Sequence, residues 1–171
     1  MPETNSKMFM VVFVCTGNTC RSPMAEGILK ARLSPGALEW AIVESAGTLG
    51  LSGTPPADGA IEDARADGVD ISGYRSRPLD MGLVDEADLI LVMEPYHKDC
   101  VVLLDRDAAK KTFLLGEFHR DVEKEVIVGD PIGCKVDVYR DCYTAIQEHI
   151  DRCLPAIEDL VMRKIGRMAD S

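Results

Sequence analysis

The sequence predicts an α/β fold, a four-stranded parallel sheet with helices on both faces. Two observations carry this. Short apolar stretches alternate along the chain with segments whose apolar residues recur at three- and four-residue spacing, and the first stretch is apolar at every position, as a strand covered on both faces must be. With 171 residues, a single domain over 8–171 is expected, preceded by a loose leader at 1–7. Met8–Val14, rich in valine, is the first strand. Gly17, Ser22 and Pro23 follow, then a helix from Met24 to Leu33 in which Ala25, Ile28, Leu29 and Arg32 share a face; Ser22 is the expected N-cap and Pro23 the first helical residue. Trp40–Val43 reads as a strand, Ala57–Ala66 as a helix after the turn-rich Gly47–Pro56, and Leu89–Met93 as a third strand. A helix over Tyr96–Leu104 begins near Pro95, and Thr112–Leu115 is the fourth strand. From Asp137 to Met168, Val138, Cys142, Ile146, Ile150, Ile157 and Val161 recur at helical spacing, with Pro155 expected to kink or divide the helix.

Composition narrows the function. Apolar residues make up 46% and charged residues 28%, an ordinary globular mix, and Met8–Val14 is far shorter than the roughly 20 residues a membrane helix needs. The start of the chain does not read as a signal peptide, so a cytoplasmic location is expected. Twenty-nine acidic against nineteen basic residues give a net charge of −10, which argues against nucleic acid or a membrane surface as partner. Any anion must be drawn in by a local site. The six cysteines (Cys15, Cys20, Cys100, Cys134, Cys142 and Cys153) are expected to be reduced. Three scattered histidines and no Cys-x-x-Cys give no reason to expect a metal.

In a parallel α/β sheet, ligands bind beyond the carboxyl ends of the strands, so the first strand–helix turn, Cys15-Thr16-Gly17-Asn18-Thr19-Cys20-Arg21-Ser22, is the place to look. Each position has a use if the ligand is a phosphoryl group. The five residues between Cys15 and Arg21 can curl so that backbone N–H groups and a helix N-terminus form an anion cradle. The same field favours the thiolate of Cys15, the form that attacks. Arg21 can hold two phosphoryl oxygens with its planar fork. Gly17 and Asn18 tolerate left-handed backbone, and Ser22 can donate its hydroxyl to the sulfur.

The stretch Val14-Cys15-Thr16-Gly17-Asn18-Thr19-Cys20-Arg21-Ser22-Pro23-Met24-Ala25-Glu26 resembles the signature of the low molecular weight protein tyrosine phosphatase family. Glu44-Ser45-Ala46-Gly47-Thr48, Ala87–Glu94 and Asp130-Pro131 extend the likeness over Met8 to about Ile165. The resemblance implies a flavodoxin-like doubly wound sheet, no cofactor, and hydrolysis through a cysteinyl-phosphate intermediate. It makes Cys15 the nucleophile, Arg21 the phosphate clamp and Asp130 the general acid and base. It also gives Asn18 and Ser45 supporting positions and makes Cys20 a redox partner of Cys15. Cys100, Cys142 and Cys153 are expected to be packing residues, and Cys134 has no assigned role.

Substrate preference is read from three positions. Family members acting on phosphotyrosine usually carry aromatics after Ser-Ala-Gly and after Asp-Pro; here those loops hold Leu49 and Ile132 instead. The Cys-Thr-Gly-Asn-Thr-Cys-Arg form is similar to the bacterial protein arginine phosphatases of the family, and a hydroxyl at Thr19 suits a guanidinium. A phosphorylated protein, carrying phosphoarginine in preference to phosphotyrosine, is the expected partner. Two rivals fit less well. A thioredoxin-linked arsenate reductase of the same fold needs two further cysteines around 85–95, where this chain has none. A non-catalytic phosphate-binding module could dispense with Cys15 or Asp130.

Overall fold

The computed structural model describes residues 8–120 and 126–169; the leader expected at 1–7 lies outside them. Strands β1 (Phe9–Cys15), β2 (Ala41–Gly47), β3 (Leu89–Val92) and β4 (Thr112–Leu114) form one sheet in the order β2-β1-β3-β4, with every pairing parallel. All seven residues of β1 are buried, and their alternation sorts them between two layers. Phe9, Val11, Phe13 and Cys15 face a core closed by α1 (Arg21–Arg32), α3 (Asp58–Ala66) and α6 (Val136–Ala169). Met10, Val12 and Val14 face a smaller core closed by α4 (Met81–Glu86) and α5 (Pro95–Leu104). The two-residue period of one strand thus builds both sides of the fold. No helix among the described residues is long and apolar enough to cross a membrane.

The main elements fall where the sequence puts them, and the departures have physical reasons. The second strand runs on through Glu44-Ser45-Ala46-Gly47, poor strand formers that are recruited by pairing with β1 up to Cys15↔Gly47. The first helix starts at Arg21 with Cys20 at its N-cap and no side-chain cap, so Ser22 is not the cap: its hydroxyl is taken by Cys15 and Asn18. Pro155 does not divide the last helix, which is continuous over 34 residues; Cys153, Ile157 and Val161 are fully buried on either side and hold it against the core. Short α2 (Pro35–Leu38), α4 and a 3-10 turn over Arg106–Lys111 were not expected. Ser34, Asp80 and Asp105 cap them by accepting a backbone N–H, and Pro35 opens α2; these are their local sequence signals.

With β2 on one side of β1 and β3 on the other, the strand order reverses at β1. The loop leaving Cys15 opens into the resulting crevice.

Candidate active site

The loop from Cys15 to Ser22 is held by its neighbours. The carbonyl oxygens of Cys15, Thr16 and Thr19 accept the backbone N–H groups of Thr48, Leu49 and Ala57 at 3.0, 2.9 and 2.8 Å. Asn18 is the left-handed residue, at φ 55°, while Gly17 is not; of the two residues expected to tolerate that conformation, only Asn18 adopts it. Its amide makes the loop rigid. Oδ1 accepts the Arg77 N–H at 2.9 Å, which fixes the amide's orientation, and Nδ2 donates to Ser22 Oγ at 2.8 Å and Ser45 Oγ at 2.9 Å. Ser45 passes its own hydrogen to buried Glu26 at 2.6 Å, whose other oxygen accepts from Lys30 at 2.7 Å. Ser22 Oγ lies 2.9 Å from Cys15 Sγ and can donate its hydrogen there when the sulfur is a thiolate, and the Asn18 N–H donates to the same sulfur at 3.3 Å. Both groups are able to donate to the sulfur, an arrangement that suits an anionic sulfur.

Gly47 lets β2 lie against this loop. An alanine Cβ there would stand 2.7 Å from the Thr16 carbonyl oxygen and 3.0 Å from the Asn18 nitrogen. Gly47→Ala is therefore expected to destabilise the protein by about 1–3 kcal/mol and, by shifting the loop, to lower kcat by about tenfold or more. A denaturation curve and aryl phosphate turnover check this; a parent-like kcat would contradict the placement.

Arg21 is 1% exposed and joins the loop to two distant segments. Nη1 pairs with the Glu94 carboxylate and donates to the Val128 carbonyl at 2.7 Å, while Nη2 reaches Thr16 Oγ1 at 3.3 Å and Asp130 Oδ2 at 3.5 Å. Asp130 Oδ1 accepts the Ile132 N–H at 3.0 Å. Cys15, Arg21 and Asp130 thus converge. At the mouth, Thr19 Oγ1, Leu51 Cδ1 and Ile132 Cδ1 all lie within 4 Å of where a Gly17 Cβ would be, whereas Leu49 is 64% exposed. Cys20 is buried, and that burial pushes its thiol up to about 11, so it is protonated at neutral pH. Cys142 and Cys153 are buried, Cys100 only partly so, and Cys134 is exposed.

Sequence reasoning missed Glu94, His97, Glu26 and Leu51, along with an aromatic. Tyr96, 59% exposed, brings its hydroxyl beside Thr48 and Cys100 from the first turn of α5 rather than from either loop searched. Glu94-Pro95 at a strand end was the available signal for this third side of the crevice. His97 is fully buried, accepts the Glu94 N–H at Nδ1 (3.1 Å), and meets Thr16 Oγ1 through Nε2 at 2.9 Å. Burial, aided by the Arg21 cation, lowers it from 6.5 to about 4. The unfolded chain therefore takes up this proton first as pH falls, and stability is expected to drop by about 3 kcal/mol between pH 6.5 and 4. His149, also lowered by burial, adds in the same direction. His97→Gln should remove the His97 share from a denaturation series across this range; an unchanged profile would contradict the assignment.

Residues 10–163 match the low molecular weight phosphotyrosine protein phosphatase family. The chain belongs to that family. A low molecular weight phosphatase is an enzyme acting on phosphoproteins, and its relatives span two substrate classes. The chain is 34% identical to a protein-arginine-phosphatase of Geobacillus stearothermophilus, over 84% of this chain and 93% of that one. It is 35% identical to the probable low molecular weight protein-tyrosine-phosphatase EpsP of Ralstonia solanacearum, over 88% and 97%. The solved structure of the YwlE arginine phosphatase from Geobacillus stearothermophilus superposes with a TM-score of 0.78 at 32% identity, covering 92% of this chain and 96% of that one. This phosphatase therefore has relatives named for either substrate.

Proposed function

We propose that this phosphatase hydrolyses phosphoarginine on proteins through a cysteinyl-phosphate intermediate. The convergence of Cys15, Arg21 and Asp130 around one loop supports the chemistry. Cys15 Sγ attacks phosphorus while the Asp130 carboxyl protonates the departing group; the same carboxylate then takes a proton from the water that attacks the cysteinyl phosphate, releasing inorganic phosphate and the thiolate. Arg21 and the loop N–H groups stabilise the charge spreading over the equatorial oxygens. Cys20 stands as the partner thiol for an oxidised Cys15, and its protonated state makes that exchange slow at neutral pH. The interior of the cell is where an enzyme using a reduced thiol would work.

The observation that favours phosphoarginine is the Thr19 hydroxyl set among the aliphatic groups of Leu51 and Ile132. A guanidinium has N–H donors to satisfy, and an aliphatic wall alone would leave them unpaired. One observation favours the second reading, phosphotyrosine: the exposed ring of Tyr96 beside Thr48 is an aromatic surface for a phenyl group. Matched phosphoarginine and phosphotyrosine peptides, offered to the parent and to Thr19→Ile, separate the two. The parent should prefer phosphoarginine and the variant should shift toward phosphotyrosine. An unchanged preference would remove Thr19 from the account, and a parent preference for phosphotyrosine would overturn the substrate assignment.

A further inference from the structure

We propose that His97 is a positioning residue which fixes Thr16 as a hydroxyl donor to the phosphoryl group. The argument is an accounting of hydrogens. His97 is fully buried and neutral at working pH, so its ring carries one proton. The Glu94 backbone N–H donates to Nδ1 at 3.1 Å, which can only accept there, so the proton sits on Nε2. Nε2–H then donates to Thr16 Oγ1 at 2.9 Å.

Thr16 Oγ1 also accepts from Arg21 Nη2 at 3.3 Å. A hydroxyl has two lone pairs and one hydrogen. With both lone pairs engaged, the hydrogen must be donated, and Thr16 is the first residue of the loop after Cys15, half-buried and in contact with the clamp. An oxyanion that engages Arg21 Nη2 meets that hydrogen. A freely rotating hydroxyl would present a lone pair to the anion part of the time; His97 and Arg21 remove that option before substrate arrives, and this is preorganisation. None of it depends on the leaving group, so it serves phosphoarginine and phosphotyrosine alike. It rests on the reading of this loop as the phosphoryl site.

The side chains of asparagine and glutamine separate the two ring nitrogens. An asparagine amide reaches only as far as Nδ1, keeping an acceptor for the Glu94 N–H, while a glutamine amide reaches as far as Nε2 and can still donate to Thr16. Orthophosphate affinity, measured by isothermal titration, is the direct readout, with kcat on an aryl phosphate beside it. Thr16→Val and His97→Asn should each weaken orthophosphate by about tenfold, the value of one hydrogen bond to a charged group. His97→Gln should bind like the parent, and Thr16→Val/His97→Asn should be no weaker than Thr16→Val alone.

Losses that add in the double variant would overturn the proposal, because His97 would then act other than through Thr16. So would unchanged orthophosphate affinity in Thr16→Val, a swap of hydroxyl for methyl at a half-buried position that keeps the test open even if His97→Asn does not fold. A parent protein that does not bind orthophosphate at all would instead sink the underlying reading of the site.

Discussion

Replacing Cys15 with serine is expected to lower aryl phosphate turnover by on the order of 10⁴-fold or more, the scale seen when an enzyme loses its nucleophile, while orthophosphate still binds. The two effects separate because the groups around the sulfur have one kind of chemistry. Ser22 Oγ lies 2.9 Å from the sulfur of residue 15, and the Asn18 N–H donates to it at 3.3 Å. Both can donate to an anionic sulfur, and neither is a base that could take a proton from a serine hydroxyl, which is not ionised at neutral pH. The cradle for the phosphoryl group is untouched by the change: Arg21 and the loop backbone remain, and Asn18 still pins Ser22 and Ser45. Orthophosphate should therefore compete within a few-fold of its effect on the parent. Turnover surviving in Cys15→Ser would remove Cys15 as nucleophile.

Arg21→Lys is expected to cost on the order of 10³-fold in kcat/KM, within the range found for preorganised groups that meet developing charge. The charge is conserved, so the loss measures geometry. Arg21 is 1% exposed and uses Nη1 to hold Glu94 and the Val128 carbonyl, leaving Nη2 facing Thr16 and Asp130. A lysine ammonium is a single point that cannot anchor on one side and present a second nitrogen to the substrate on the other. It also leaves the Val128 carbonyl, which precedes the Gly129-Asp130-Pro131 turn, without the donor that ties this turn to the loop. Both kcat and orthophosphate affinity should fall, kcat by the larger factor, since the fork follows charge that grows in the transition state. Equal falls in the two would mean that Arg21 binds ground and transition states alike.

The parts of this protein that could be read from sequence are those whose signal is local. The first strand is apolar at each position from Met8 to Val14, and its buried alternation places the sheet before any contact is known. The turn from Cys15 to Arg21 carries its chemistry in consecutive residues, and Asp130 was reached through the family likeness of Asp130-Pro131. What stayed hidden was built by long-range contacts. Glu94 and Val128 meet Arg21 from 73 and 107 positions away; Glu94 is marked only by the Pro95 that follows it at a strand end, and nothing beside Val128 marks it. Ser22 looked like a helix cap because serine before proline usually is one; the pull of Asn18 and Cys15 on its hydroxyl started the helix at Arg21 instead. The search for aromatics covered the two loops that the family likeness marks, and Tyr96 enters from the start of α5.

The central claim is that a phosphoryl group passes through Cys15. Asp130→Asn, which slows the water step by removing the base, should let that intermediate accumulate when the protein is mixed with an aryl phosphate and quenched in acid. Mass spectrometry of the quenched protein and its peptides is expected to find one added phosphoryl group, on Cys15. A phosphoryl group on any other residue, or turnover with none detectable on Cys15, would contradict the account.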